Sequence, residues 1–269
     1  MKSIWKNIGL AAGAVLLFLV LSYGFVPQVL QGKIVNQSDI SGYMGMSHEM
    51  TEWNKAHPDN PTYWTDAMFG GMPTTAISTQ NGGDYTQWIY DLLLTGKRPA
   101  TYLFIALLGA FLLLLALGVS WPLALGGAVA VAFCSYNFQI IQVGHNTKMQ
   151  AIAFMPWVLA ALVYTYRSAM GAARTGSRSD AEQGVFPLFH VLLGAVLFGL
   201  ALSMQIKANH QQITYYLALI VFLYALVEGI HALRNRAWKP FLLASALLLV
   251  LGGAGIATNV NKQIGRAHV

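Results

Sequence analysis

Ala100–Gly118 reads ATYLFIALLGAFLLLLALG, nineteen residues without a charge. As an α-helix such a run is about 28 Å long, close to the ~30 Å hydrocarbon core of a bilayer. Inside hydrocarbon every backbone N–H and C=O must be paired within its own segment, so the run is read as a membrane-spanning helix. Six further runs of the same kind lie outward from it, at 8–26, 121–138, 151–166, 186–204, 213–230 and 240–257. The composition agrees: 56% of residues are hydrophobic and 10% charged, where a soluble domain has about a quarter charged. The sequence predicts an all-α polytopic membrane protein of about seven transmembrane helices. The first run follows Lys2 and Lys6 as a signal peptide would. It is long for one, however, and Tyr23, Pro27 and Gln28 follow without a small-residue cleavage site, so it is read as a retained helix.

The formal charge is +6, but the basic residues lie singly between apolar runs rather than in a stripe, which argues against a nucleic-acid partner. A single cysteine, Cys134, excludes a disulfide framework and a Cys-based zinc site. Orientation follows from the short loops. With the N-terminus cytoplasmic, Arg167, Arg174 and Arg178, then Arg234, Arg236 and Lys239, fall on the same side as Lys2 and Lys6. The extracytoplasmic side then receives the long loop 27–99, the turns 137–150 and 204–212, and everything after about 258.

The inner loops are a Ser-Trp-Pro turn at Ser120–Pro122 and a Gly, Ser and Arg-rich linker at Gly171–Arg178. The two outer turns are chemically denser. One carries Gln142, Gly144, His145, Asn146, Thr147, Lys148 and Gln150; the other carries Gln205, Lys207, Asn209, His210, Gln211 and Gln212. In the simplest case Lys148 and Lys207 reach out to lipid phosphates while the amides cap helix ends. The shared inventory favours convergence instead: both lysines, with His145, Asn146, Asn209 and His210, would hold an anionic group such as a phosphate at the membrane surface. A metal is not indicated, since His145 and His210 lack a third close ligand in sequence.

The loop 27–99 is too polar to span. From Asp39 to Trp53 the residues Ile40, Tyr43, Met44, Met46, Met50 and Trp53 recur at three- and four-residue spacings, which predicts one amphipathic interfacial helix with Ser38 or Asp39 as its N-cap. The paired glycines of Trp64-Thr-Asp-Ala-Met-Phe-Gly-Gly-Met-Pro73 permit a tight turn that brings backbone close to another group. That group is either a ligand, held near Trp64, Gly70 and Gly71, or a neighbour within a plain turn stapled to the interface by Trp64 and Phe69. Asn81–Asp84 forms another turn before an amphipathic Tyr85–Leu94. Glu49, Glu52 and Asp59 read as surface charge. Asp39, soon after the first helix, and Asp66, in an aromatic and glycine-containing run, are the candidates for acid and base work.

Taken together, Ser38-Asp39, the Trp64–Pro73 run, Gly144-His-Asn-Thr-Lys-Met-Gln150 and Lys207-Ala-Asn-His-Gln-Gln212 resemble the YfhO-type bacterial membrane proteins. That family is similar to the GT-C class of glycosyltransferases, which take sugar from a polyprenyl-phosphate donor on the outer face of the inner membrane and pass it to a cell-envelope polymer. The resemblance implies that Asp39 is the catalytic carboxylate and that Lys148, Lys207, His145 and His210 serve the departing phosphate; Asp66 stays the second candidate from its own surroundings, no cofactor is predicted, and a divalent metal is left open though not indicated. The alternatives are a transporter or flippase, or a non-catalytic envelope assembly factor that binds an anionic lipid-linked ligand. A transporter, though, places ionisable groups near mid-bilayer, where these helices carry none.

The family pattern continues beyond this chain with further helices and an outer domain. Ile264–Val269 is also what the string ATCGGAAGAGCACACGTC encodes, which resembles a short-read sequencing adapter. The expectation is that 1–262 is a transmembrane, GT-C-like amino-terminal region, inactive alone, that 263–269 is an artefact, and that Asn259, Asn261 and Lys262 form a third outer polar set.

Overall fold

The computed structural model describes residues 2–74, 86–93, 97–175 and 185–259. The turn at Asn81–Asp84, Arg178, and the expectations for Asn261, Lys262 and 263–269 lie outside the described residues.

Among the described residues the regular structure is helical apart from one short ribbon. Helix α1, Lys2–Phe25, leads through a 3-10 turn at Pro27–Gln31 into α2, Ser38–Met46, and α3, His48–Ala56. Strands β1, Trp64–Thr65, and β2, Met72–Pro73, pair antiparallel. Then come α4, Gln87–Leu93; α5, Ala100–Ala116; α6, Trp121–Ala132; α7, Ser135–Val143; α8, Asn146–Thr175; α9, Val185–Lys207; α10, Gln211–Arg234; and α11, Trp238–Ala257.

Six spans are long and apolar enough to cross a membrane: Ile8–Phe25, Trp121–Val143, Asn146–Gly171, Leu188–Lys207, Gln211–Arg234 and Trp238–Ala257. The protein is therefore an all-α chain suited to a lipid bilayer. All seven apolar runs of the sequence are helical, with different bounds. The run expected over 121–138 is two helices end to end, α6 and α7. The fourth begins at Asn146 rather than 151 and continues to Thr175, passing through Pro156. The run that announced the fold, α5, has 17 residues, fewer than any of the six spans, about 25 Å. Ala100–Leu103, Ile105–Leu107 and Gly109–Phe111 are buried, so the first three turns spend their apolar surface on other helices.

Helix α8 is the spine. Its first half packs with α1, α5 and α6 around Phe18, Tyr102, Leu107, Met149 and Phe154. Its second half packs with α9, α10 and α11 around Val158, Leu162, Ala195 and Leu248. Small residues set the spacing, as expected where lipid tails compete equally for apolar contact. Ala124, Ala128 and Ala132 of α6 are fully buried, one turn apart. The closest approach is between α9 and α11. A Cβ on Gly255 would stand 2.3 Å from the Gly199 carbonyl oxygen, and one on Gly199 would stand 2.5 Å from that of Leu251. Helix α10 is peripheral, with Tyr215, Leu219, Phe222, Leu226 and Leu233 exposed.

The single amphipathic helix expected over Asp39–Trp53 is two helices, broken at Ser47. Gly42 and Gly45 make the first half a poor helix former, and Ser47 is buried with its hydroxyl donating to the Tyr43 carbonyl at 2.8 Å.

Candidate functional site

The end of α7 gathers the start of the long loop 27–99. Helix α7 closes on Gly144 in the left-handed region, φ 108°, a conformation glycine adopts at no cost. A Cβ there would lie 3.0 Å from Cβ of Gln37, 3.1 Å from Cβ of Asp39 and 3.5 Å from the Ile40 nitrogen. Only glycine lets the two segments approach this closely. Gln37 and Asn146 then form a reciprocal amide pair: Asn146 Nδ2 donates to Gln37 Oε1 at 3.0 Å, and Gln37 Nε2 donates to Asn146 Oδ1 at 3.3 Å and to the Ile141 carbonyl. The Ser38 hydroxyl donates to the Val143 carbonyl at 3.4 Å.

Asp39 sits at the second position of α2, and its Oδ2 lies 2.8 Å from His145 Nδ1. Neither Ser38 nor Asp39 caps α2. The N-cap position is Gln37, whose side chain makes no capping hydrogen bond to the helix. The carboxylate instead orients an imidazole at the start of α8, and both side chains are about half exposed, 41% and 50%. A carboxylate fixing one ring nitrogen leaves Nε2 of that ring to exchange protons with a bound group.

Lys148 stands one turn along α8, its ammonium 5.2 Å from the centre of the Tyr136 ring. His210, the residue preceding α10, completes this side. Burial first, then the Lys148 ammonium and His145, hold its imidazole below the ordinary 6.5. Its Nδ1 is buried and has no hydrogen-bond partner among the described residues. Asn209 is a backbone feature: its φ of 61° closes α9, in a conformation asparagine tolerates better than most residues.

Lys207 is drawn into the bundle rather than left at its surface. Lys207 is 4% exposed, and its ammonium donates to the Thr86 hydroxyl at 3.4 Å. Thr86 bonds Ser203 at 3.2 Å, Ser203 bonds Thr258 at 2.7 Å, and Asn259 Nδ2 donates to the Ser203 carbonyl at 3.2 Å. Lys207 therefore belongs to a buried polar chain that ties α4, α9 and α11 together. Lys148 and His145 both lie close enough to His210 to act on its charge. A shared inventory of residue types does not fix where side chains go, and Lys207, in the last turn of α9, points inward.

The Trp64–Pro73 run is a hairpin. Phe69, Gly70 and Gly71 have φ of 53°, 75° and 116°. The group that approaches Gly71 is the hairpin's own Trp64, whose indole carbon would be 2.8 Å from an added Cβ. The Trp64 Nε1 donates to Asp66 Oδ1 at 2.9 Å, so the second candidate carboxylate is engaged in shaping the turn. No atom would lie within 4 Å of a Cβ on Gly70. Phe69, 89% exposed, stands at the tip.

Two residues that matter here escaped sequence reasoning. Gln37 is the clasp of the long loop 27–99, with no local pattern to mark it. Glu49, read as surface charge, organises the hairpin: its Oε2 accepts from the Thr65 hydroxyl and from the backbone of Asp66 and Ala67, both at 3.1 Å. The Thr65 bond leads in holding its carboxyl below the usual range. Glu49 lies in the first turn of α3, a placement hidden from a reading that ran one helix from Asp39 to Trp53. Glu52, by contrast, is in a surface pair with Lys55 at 2.8 Å. Among the described residues no group of three or more His, Cys, Asp or Glu side chains is placed to hold a metal ion.

No family model, curated protein or solved structure matches this chain.

Proposed function

We propose that the protein is a GT-C-like, YfhO-type glycosyltransferase region that moves a sugar from a polyprenyl-phosphate donor to a cell-envelope acceptor on the extracytoplasmic face of the bacterial inner membrane. The observation that carries this reading is the half-exposed Asp39–His145 pair at 2.8 Å, set beside Lys148 and His210 at the ends of apolar helices. A carboxylate–imidazole pair next to cationic and N–H donors suits a reaction that takes a proton at one point and releases an anion close by.

In this reaction the acceptor hydroxyl oxygen bonds to the anomeric carbon as the bond from that carbon to the phosphate oxygen breaks. The hydroxyl proton passes to His145 Nε2, while Asp39 holds Nδ1–H and stabilises the imidazolium. The electron pair leaves on the polyprenyl phosphate. Lys148, the start of α8 and the start of α10 face that anion, where helix N-termini favour negative charge. The polyprenyl chain lies in the bilayer, and the exposed Trp64 and Phe69 of the hairpin rest at its surface.

The test uses the purified product of the full gene in liposomes containing a panel of polyprenyl-phosphate hexoses, with radiolabelled sugar followed into polymer. Asp39→Asn and His145→Gln should each lower turnover by about 10²–10⁴-fold while donor retention persists, and Lys148→Gln should weaken donor retention. Folded Asp39→Asn and His145→Gln proteins with full turnover would overturn the reading. Donor retention with no transfer by any variant would favour a lipid-linked anion carrier or an assembly factor.

A further inference from the structure

A second polar assembly lies at the opposite end of the bundle. The link from α10 to α11 is three residues, Asn235–Ala237, and within it and its flanks stand Arg234, Arg236 and Lys239. All three are exposed, and among the described residues none forms an ion pair. Arg236 adopts φ 55°, a left-handed conformation that is costly for a residue with a Cβ. It is held there by bonds from its own nitrogen to the Leu233 carbonyl at 3.3 Å and from the Ala237 nitrogen to the Ala232 carbonyl at 2.8 Å. Glycine or asparagine would close this turn more cheaply, so the strain keeps a guanidinium where the fold does not require one.

Directly beside this cationic turn is an apolar cavity of about 480 Å³ between the two helices, within the size range of ligand sites. Ala225, Gly229 and Leu233 form its α10 wall, and Trp238, Phe241 and Leu242 its α11 wall. The absence of a side chain at Gly229 keeps the groove open, since a Cβ there would come 3.2 Å from the Phe241 ring. From Ala225 to Leu233 the groove runs about 12 Å along α10, enough for the upper part of one hydrocarbon chain. Lys239 Nζ stands 5.6 Å from the centre of the Trp238 ring, which places a cation at the mouth of the groove.

We infer that this groove binds an anionic phospholipid, one acyl chain between α10 and α11 and the phosphate head group against Arg234, Arg236 and Lys239. The charge at the mouth selects the occupant: a neutral membrane helix would fill the groove but leave three cations uncompensated. Each such cation adds roughly a five-fold preference for an anionic lipid surface. The site is independent of the glycosyltransferase reading.

The experiment is native mass spectrometry of the purified chain from nanodiscs of phosphatidylcholine mixed with phosphatidylglycerol, counting retained lipids of each class. The wild type should retain phosphatidylglycerol preferentially. The Arg234→Gln/Arg236→Gln/Lys239→Gln variant should lose at least about 10-fold of that preference, and Gly229→Leu, which fills the groove, should lose the bound lipid. Lys33→Gln/Lys55→Gln, which removes charge at the other end, should retain it. Unchanged selectivity in the triple variant, or loss only in the Lys33/Lys55 control, would overturn the assignment. A folding-neutral check uses phosphatidylglycerol with brominated acyl chains: it should quench tryptophan emission more in the wild type than in Trp238→Phe, and equal quenching would also overturn it.

Discussion

Gly144 concentrates two constraints in one position, a φ of 108° and the Cβ atoms of Gln37 and Asp39 at 3.0 and 3.1 Å. Gly144→Ala should therefore cost about 1–3 kcal/mol and lower the thermal midpoint of unfolding. Gly9→Ala, where an added Cβ meets nothing within 4 Å, should be neutral or slightly stabilising. His210 makes a second prediction at this scale. Its folded-state affinity for a proton is lowered by burial and by Lys148, so the unfolded chain binds the proton more readily. Stability is then fully present above the ordinary 6.5 and falls as pH drops through it toward the depressed folded value. Unfolding midpoints measured between pH 8 and 5 should show this loss, and His210→Gln should flatten it.

At the level of elements, the contact between α9 and α11 is backbone against backbone at Gly199 and Gly255. Gly255→Leu forces the helices apart and should cost about 1–3 kcal/mol or more, whereas Gly253→Ala, with open space around it, should be tolerated. Thermal unfolding in detergent distinguishes the two. The helices themselves were legible because unbroken apolar runs admit one solution in lipid. Their breaks were not. The Ser47 interruption depends on a side chain folding back onto Tyr43 and on two nearby glycines, and the division of 121–143 at Phe133–Cys134 falls within an apolar stretch where hydropathy does not change. Nor did period reveal Asp39 as anything but a cap. Its partner lies 106 positions away, and a local pattern carries no information about that distance.

At the level of the whole molecule, the turn between α7 and α8, the turn between α9 and α10, and the start of the outer loop lie at one end of the bundle, while Thr175 lies at the far end of the 30-residue α8, about 45 Å away. Reporter fusions after residues 60, 145 and 208 should report one side of the membrane and a fusion after 175 the other; a signal at 145 matching that at 175 would contradict the topology. That these turns share an end followed from helix alternation alone. Which groups touch within that end did not, since the direction of Lys207 and the clasp of Gln37 are decided by packing. The clasp also sets a schedule for synthesis. Gln37 bonds Asn146 across 109 positions, so the loop 27–99 emerges long before its mooring exists. At ~5–20 residues per second the ribosome leaves the loop unmoored for roughly 5–20 s, the interval in which a chaperone or a protease meets it first.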